Sequence, residues 1–443
     1  MGKTSPEVME KLVSLCKRRG LIFQSSEIYG GINGFWDYGP YGTAMKRAIE
    51  QVWWRFMVQT RSNVVGLDST VICHPKVWKA SGHLDKFGDL MTDCRDCKAR
   101  HRVDQMPDPG ACPACGSKNL TPPREFNLMM KTYVGPVSDD EHTAYLRAET
   151  CQPIFVDFHL VRVATRQQLP FGIAQIGKAF RNEINPRNFT FRSREFSQME
   201  MEFFCGEAES MTWYAYWKEE RLRYYRDILK FSPDVLRVHD HDTLAHYAKA
   251  ALDIEFEFPF GWGELEGVHH RGTWDMSRHQ EFSGENLEYF DQEANTRFAP
   301  TVVETSVGLD RTMLALLCNA YDEDRAPTKK EGMEEDVRIV LHLPPCVAPV
   351  QVAVLPLSKK LNENAEKLFL DMSRYYRSEL DLTGNIGKRY RRQDEIGTPY
   401  CLTFDFDSLN DQAVTVRERD SMSQERIGIS QLRDYLDKLI LTN

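Results

Sequence analysis

Apolar residues recur at helical spacing near the start of the chain, where Val8, Leu12, Val13 and Leu15 stand among charges between Met1 and Lys17. A second stripe, Ala44, Ile49, Val52, Trp53, Phe56 and Met57, runs from Thr43 to Thr60 behind the turn Gly39-Pro40-Tyr41-Gly42. These patterns predict an amphipathic helix and then a long helix that feeds a strand over Val64 to Ile72. Arg124 to Thr132 and Ile154 to His159 read as short strands and loops. Glu209 to Ile228, rich in Trp and Tyr, reads as a helix. The run from Asp322 to Asp336 is charged and contains proline; a strand (Val337 to Leu341) and the turn-rich Pro344 to Pro349 follow it. A domain boundary is predicted there, dividing 1–345 from 346–443. Beyond it, strands at Val350 to Leu355, Tyr400 to Phe406 and Gln412 to Arg417 alternate with helices at Lys360 to Leu380 and Ile429 to Leu441. That alternation predicts a small α/β domain of about a hundred residues.

A chain of 443 residues exceeds the size at which one core stops growing, and 42% apolar content is enough to fill more than one. The first helix lacks the apolar run of a signal peptide, and no stretch approaches roughly 18 consecutive apolar residues, so no membrane span is predicted. Eleven scattered cysteines, an odd number, argue against a disulfide scaffold and for a reducing, cytoplasmic setting. The net charge of −9 excludes a protein that coats nucleic acid indiscriminately, while leaving room for a basic patch that binds one folded RNA.

Two cysteine pairs carry more specific chemistry. Cys94-x-x-Cys97 and Cys112-x-x-Cys115 are separated by fourteen residues, with Pro113 and Gly116 supporting a tight turn. Four thiolates at this spacing suit one tetrahedral Zn²⁺ with no open position, hence a structural site clamping an insertion over 90–120.

The stretch Phe180 to Phe204 reads Phe-Arg-Asn-Glu, a basic loop, then Arg-Glu-Phe-Ser-Gln-Met-Glu-Met-Glu-Phe-Phe. On a strand, Arg181 and Glu183 share a face, pairing a cation for an α-phosphate oxygen with a carboxylate for an adenine amino group. Arg187, Arg192 and Arg194 supply charge along a triphosphate, and Phe196 offers a flat face to a purine. Val302 to Leu317 predicts a strand, a turn at Gly308 and a helix whose Arg311 enters the same site. In the C-terminal part, Lys388-Arg389-Tyr390-Arg391-Arg392 interleaves cations with a ring able to stack on a splayed base, and Arg417 and Arg419 form a second basic point.

In this order the three segments, Gly39-Pro40 with its long helix, Phe180 to Phe204, and Pro300 to Leu317, resemble the three motifs of class II aminoacyl-tRNA synthetases. From about Leu21 onward the chain resembles glycyl-tRNA synthetases of the dimeric, single-chain type. Pro75 to His83, Leu146 to Thr150, Ala174 to Glu183 and Gly261 to Gly267 carry the likeness. The chain departs from the family at Arg147-Ala148-Glu149-Thr150-Cys151-Gln152-Pro153, where the family has Arg-Pro-Glu-Thr-Ala-Gln-Gly, and at Glu304-Thr305-Ser306, where it has Glu-Pro-Ser.

The resemblance implies an α+β fold: an antiparallel sheet flanked by helices, with the zinc insertion, and a C-terminal α/β anticodon-binding domain. It implies ligation of glycine to tRNA(Gly) through a glycyl-adenylate, with ATP and Mg²⁺, in a cytoplasmic homodimer. Arg181, Glu183 and Arg311 would be catalytic. Asn182, Phe191, Arg192, Arg194, Phe196, Glu264, Leu265 and Gly308 would join them around ATP. Glycine would meet Arg102, Glu149, Phe196, Gln198, Glu200, Glu304, Ser306 and Gly308, with Glu304 the nearest candidate for Mg²⁺. Two other readings share part of this pattern: a synthetase-derived accessory protein without the chemistry, and an adenylate-forming ligase that acts without tRNA. Retention of Arg181, Glu183, Glu200, Glu304 and Arg311 weighs against the first, and the basic C-terminal domain weighs against the second.

Overall fold

The computed structural model describes residues 5–244, 248–327 and 335–440. The expected positions Met1 to Thr4, part of the charged run before Asp336, and Leu441 lie outside them.

The first helix, α1 (Pro6–Arg18), is capped by Ser5 and buries Leu12, Leu15 and Cys16. Pro40 occupies the first turn of α2 (Pro40–Trp54), where its missing N–H costs nothing, and the helix widens over Arg55–Gln59 before β1 (Val64–Gly66). The predicted strand through Ile72 is interrupted, resuming only as the two-residue Ile72–Cys73.

Cys151–Thr165 is a helix, α3, which overturns the strand-and-loop expectation for Ile154 to His159. Its buried residues Cys151, Ile154, Phe155 and Phe158 have helical spacing. Val156, Leu160 and Val163 on the outer face hid that period by being apolar as well.

The remaining large elements before the boundary are β2 (Phe171–Phe180), β3 (Glu195–Cys205), α4 (Ser210–Arg223), β4 (Leu236–Asp240), β5 (Ala250–Phe258), β6 (Gly261–Gly272), α5 (Trp274–Ser283), β7 (Thr301–Gly308) and α6 (Leu309–Ala320). They build a seven-stranded sheet in the order β4-β5-β6-β7-β3-β2-β1, antiparallel except where β1 pairs with β2. One face of its centre is apolar. Met199, Met201 and Phe203 of β3, Val303 and Val307 of β7 and Val268 of β6 pack there with Ile49 and Trp53 of α2, Trp217 of α4 and Leu314 of α6. By strand alternation the other face receives the polar residues between them. A fully buried pair, Arg221 of α4 and Glu266 of β6, ties helix to sheet, with the Tyr225 hydroxyl donating to Glu266 at 2.6 Å.

Residues 88–127 form a separate lobe in which Gly88–Asp93 pairs with Arg100–Arg102 and Arg124–Asn127. After a hairpin (Tyr321–Pro327 with Glu335–Leu341), the C-terminal domain comprises β8 (Val352–Pro356), α7 (Asn362–Met372), β9 (Ser378–Leu380), α8 (Ile386–Ile396), β10 (Tyr400–Phe404), β11 (Ala413–Glu418), β12 (Gln424–Gly428) and α9 (Leu432–Ile440). Its sheet runs β9-β8-β10-β11-β12, with β8 parallel to both neighbours. The helix expected through Leu380 stops at Met372. The Arg377 N–H bonds Gln351 at 3.2 Å and its guanidinium bonds the Ala348 carbonyl at 3.0 Å, which pulls the chain into an edge strand. The helix α8 was not predicted, although Asn385, accepting from the Lys388 N–H at 2.9 Å, and Gly397 mark its two ends.

Candidate active site

The polar face of the large sheet is built by register. Gln198, Glu200 and Glu202 alternate along β3, directly opposite Gly308, Ser306 and Glu304 on β7. On the far side of β7, Gly267 and His269 of β6 stand opposite Ser306 and Glu304. All of these except Glu202 floor a cavity of about 270 Å³ whose walls include Glu149, Arg181, Glu183, Phe191, Arg192, Phe196, Glu264, Arg271 and Arg311. Gly267 is required here: a Cβ on it would come within 2.6 Å of the His269 ring.

Charge at the floor is tightly arranged. The Arg271 guanidinium donates to Glu304 at 2.7 Å and, through two nitrogens, to Asp275 at 2.8 and 3.0 Å. His269 Nδ1 meets the other Glu304 oxygen at 2.6 Å. Burial alone pushes the Glu304 carboxyl up, but Arg271 and His269 outweigh it and hold it at about 2. Burial likewise pushes Glu149 up, but the neighbouring His83 at 3.3 Å and then the Arg271 guanidinium outweigh it and hold it well below the usual range. Among the described residues Glu200 has no such ion pair. Burial and then the neighbouring Glu304 and Glu149 raise it to about 7, although Thr150 and Ser306 give it hydroxyl bonds. Gln198 is positioned from both ends, accepting from the Thr150 N–H at 3.1 Å and donating to Ser306 at 3.3 Å.

The other end of the cavity lies where β2 and β3 leave their ladder. Arg181 and Glu183 are not on a strand: β2 stops at Phe180, and the Glu183 N–H turns back onto the Arg181 carbonyl at 2.6 Å. Both side chains nevertheless reach the cavity. The Arg181 guanidinium lies over Phe196 and Phe87 (5.4 and 5.3 Å to the ring centroids) and donates to the Ala148 carbonyl at 3.1 Å. Across from it Arg311, in the first turn of α6, covers Phe191 at 4.5 Å and pairs with Glu264 at 3.1 Å. Asp310 fixes this turn in place by accepting from the Ser197 N–H, Lys46 at 3.0 Å and the Tyr38 hydroxyl, which connects α2 to the site.

Several expected residues sit elsewhere. Arg102 is committed to Asp89 and Asp104, at 3.1 and 2.8 Å, and does not line the cavity. Asn182 gives its N–H to the Leu128 carbonyl, and Arg194 braces the loop through the Glu183 and Asn33 carbonyls. Leu265 alternates to the apolar face and is buried there. Glu304 is ill suited to Mg²⁺, since both its oxygens already face cationic donors. Of the residues that sequence reasoning missed, His269 and Arg271 were findable, because they continue the two-residue spacing from Gly267. His83, Thr150, Asp275 and Asp310 enter only through tertiary contact.

The basic run of the C-terminal domain is displayed only in part. Arg389 faces inward from α8 and donates to the Leu382 and Pro356 carbonyls. Tyr390 bonds Thr403 beneath the Arg417 guanidinium, and Arg392 pairs with Asp381 at 2.7 Å. Arg417 is buried on Asp394 at 2.9 Å, and Arg419 is buried on the Leu343 and Gly397 carbonyls. Counting cations in the sequence ignored which way a helix turns them. Lys388 is exposed, and Arg391 is half-buried with one bond to the Val337 carbonyl.

In the 88–127 lobe the four sulfurs of Cys94, Cys97, Cys112 and Cys115 lie within 4.8 Å of one another. Two contacts, 3.7 Å between Cys94 and Cys115 and 3.6 Å between Cys97 and Cys112, are near the ~3.8 Å edge of a tetrahedron with 2.3 Å zinc–sulfur bonds. Backbone N–H groups of Cys97 and Asp96 lower the Cys94 thiol to about 7, while the crowding of neighbouring sulfurs raises Cys97 and Cys115.

Both domains of the chain match known protein families. The tRNA synthetase class II core domain (G, H, P, S and T) matches residues 133–320, and an anticodon binding domain matches residues 351–439. The glycine--tRNA ligase of Thermobifida fusca is 51% identical over 97% of both chains. That of Lachnoclostridium phytofermentans is 48% identical over 98% of this chain and 99% of its own. Among solved structures, a threonyl-tRNA synthetase RNA-binding domain from Cryptosporidium parvum aligns over 96% of this chain and 97% of its own, with a TM-score of 0.68 at 17% identity. A prolyl-tRNA synthetase of the same organism, complexed with L-proline and AMP, aligns over 99% of this chain and 79% of its own, with a TM-score of 0.64 at 15% identity. These two likenesses concern the fold.

Proposed function

The chain belongs to the glycine--tRNA ligases, enzymes that attach glycine to tRNA, and from that premise we propose how its residues divide the work. The observation that carries the reading is the facing rows on β3 and β7, which place carboxylates at one end of a cavity whose other end holds Arg181 and Arg311. The glycine ammonium is accepted by Glu200 and Glu149, with Glu304 held in place by Arg271. Glycine offers no side chain to grip, so selection against larger amino acids is steric, with Gln198, Ser306 and Gly308 on the cavity floor as the residues that would meet a substituent at Cα. The substrate carboxylate is the nucleophile. Arg181 and, from the opposite side, Arg311 meet the charge that develops on the α-phosphate, while Phe196 and Phe191 face the purine and Glu183 its amino group. Glu264 would hold Mg²⁺ once Arg311 turns to phosphate; the ion supplies charge neutralisation on the triphosphate. Pyrophosphate exchange across the twenty amino acids tests the assignment, which requires exchange with glycine alone.

The raised Glu200 carboxyl makes this reading pH-sensitive. Only its charged form accepts an ammonium, and glycine's own amine stays protonated well above neutrality. Glycine affinity therefore rises as pH increases through about 7, and the rise disappears in Glu200→Gln. Calorimetric titration of glycine between pH 6 and 8 reads this directly.

We assign a structural Zn²⁺ to Cys94, Cys97, Cys112 and Cys115. Metal analysis of dialysed protein should find one tightly held zinc per chain, lost in the Cys112→Ser/Cys115→Ser variant. Equal zinc in both would remove the assignment.

Residues 1–345 form the catalytic domain in this reading, and 346–443 read the anticodon of tRNA(Gly), with Lys388 and Arg391 as the surface contacts and Arg389, Arg417 and Arg419 as scaffold. Lys388→Ala should weaken tRNA binding and reduce its salt slope by about one, while glycine-dependent exchange continues. A homodimer is part of the same reading, supported by the exposed Ile28 and Tyr29 ahead of α2, and so is a cytoplasmic location. Among the described residues no helix is long and apolar enough to cross a membrane.

A further inference from the structure

Glu202 is fully buried, and neither of its carboxylate oxygens has a hydrogen-bond partner. It stands directly opposite Glu304 and two positions along β3 from Glu200. Cys151, the first residue of α3, brings a thiol to the same point: one donor atom each from Cys151, Glu200, Glu202 and Glu304 lies within 4.8 Å of all the others, and all four residues are buried. Like charges directly across a strand pair repel, and burial magnifies the effect. Arg271 and His269 both answer Glu304, whereas Glu202 is left without a partner, so the remaining demand for positive charge lies on the Glu202 side of the cluster. Glu202 adds an unpartnered acceptor aimed into it.

We propose that Cys151, Glu200, Glu202 and Glu304 form a second, exchangeable site for a soft divalent cation such as Zn²⁺ or Cd²⁺, directly beneath the amino-acid pocket. One sulfur and three carboxylate oxygens, the Glu304 oxygen supplied once it releases one of its two present donors, Arg271 or His269, make a four-donor set that suits such an ion and not Mg²⁺, which takes no thiolate. Binding displaces the thiol proton and the proton of any protonated carboxyl, and these are released to solvent. Four protein donors close the coordination sphere. Glu200 and Glu304 open onto the cavity, whereas Cys151 and Glu202 lie behind them, so a cation enters through the glycine pocket. Cation and glycine therefore exclude one another. This last step rests on the reading of Glu200 as an acceptor for the glycine ammonium.

The test is a cadmium titration of the intact enzyme without substrates, following the ultraviolet thiolate-to-cadmium charge-transfer band and total bound metal. The wild type should take up one more cadmium per chain than Cys151→Ala. Glu202→Gln, which keeps the side-chain shape, should weaken that uptake while leaving the insertion cysteines untouched. Equal stoichiometry and equal band intensity in wild type and Cys151→Ala would overturn the site. With glycine present the extra band should be suppressed. At half-saturating cadmium the apparent glycine KM should rise about twofold in the wild type and stay unchanged in Cys151→Ala. A band that forms normally and ignores saturating glycine would leave the cation site standing and overturn the sharing of ligands; tighter glycine binding with cadmium would overturn it too.

Discussion

Arg181→Ala is expected to lower glycine-dependent pyrophosphate exchange by ~100-fold or more, the scale of losing one positioned charge-stabilising donor. Two aromatic rings and the Ala148 carbonyl hold the guanidinium of Arg181. Its plane is thus set before substrate arrives, and no reorganisation is needed as charge builds on the α-phosphate. Among the described residues no carboxylate lies within ion-pair distance of it, in contrast to Arg311, which must first leave Glu264. The same contacts indicate that the variant folds, because only one backbone bond and two ring contacts are lost. Exchange kinetics and a thermal melt on the same preparation decide the matter. A folded variant with near-normal exchange would remove Arg181 from the reaction.

The cavity floor was legible in the sequence wherever its chemistry follows from alternation along one strand. Gln198 and Glu200 share a face because strand side chains alternate, and Glu304, Ser306 and Gly308 do so for the same reason. What a single strand cannot reveal is which element lies beside it. The pairing of Arg271 with Glu304 appears only once β6 is placed next to β7, Asp275 enters only once α5 is packed against Arg271, and His83 arrives from the separate short helix His83–Lys86. The opposite error occurred in α8, where a run of cations looked like a nucleic-acid surface. Helical turning sends Arg389 inward, and buried Asp394 claims Arg417. In α3 an apolar outer face concealed a regular inner one. Arg181 and Glu183 were placed on a strand that ends one residue too early, yet the turn that ends it still delivers both to the cavity.

Arg271→Met should cost about 3–5 kcal/mol of stability at neutral pH, the usual consequence of removing one partner from a buried charge pair. It should also raise the glycine KM sharply. Arg271 is the cation that Glu304 and Asp275 both face, and His269, Glu149, Glu200 and Glu202 surround the same point. Without it, two buried carboxylates are left beside others that already repel them. The pH dependence distinguishes this account from a simple packing defect. In the wild type the Glu304 carboxyl is held at about 2, below its value in the unfolded chain, so its contribution is fully present above the ordinary carboxylate range and disappears as pH falls towards 2. Arg271→Met removes the largest cause of that depression, so the stability gap between variant and wild type should be widest near pH 7 and narrow as pH falls, first as the variant's Glu304 takes a proton above the ordinary carboxylate range and then as the wild-type carboxyl does towards 2. Thermal melts of both proteins across this range measure the gap. A gap that stays constant with pH would mean that Arg271 acts through packing, and the electrostatic account of the glycine floor would fail with it.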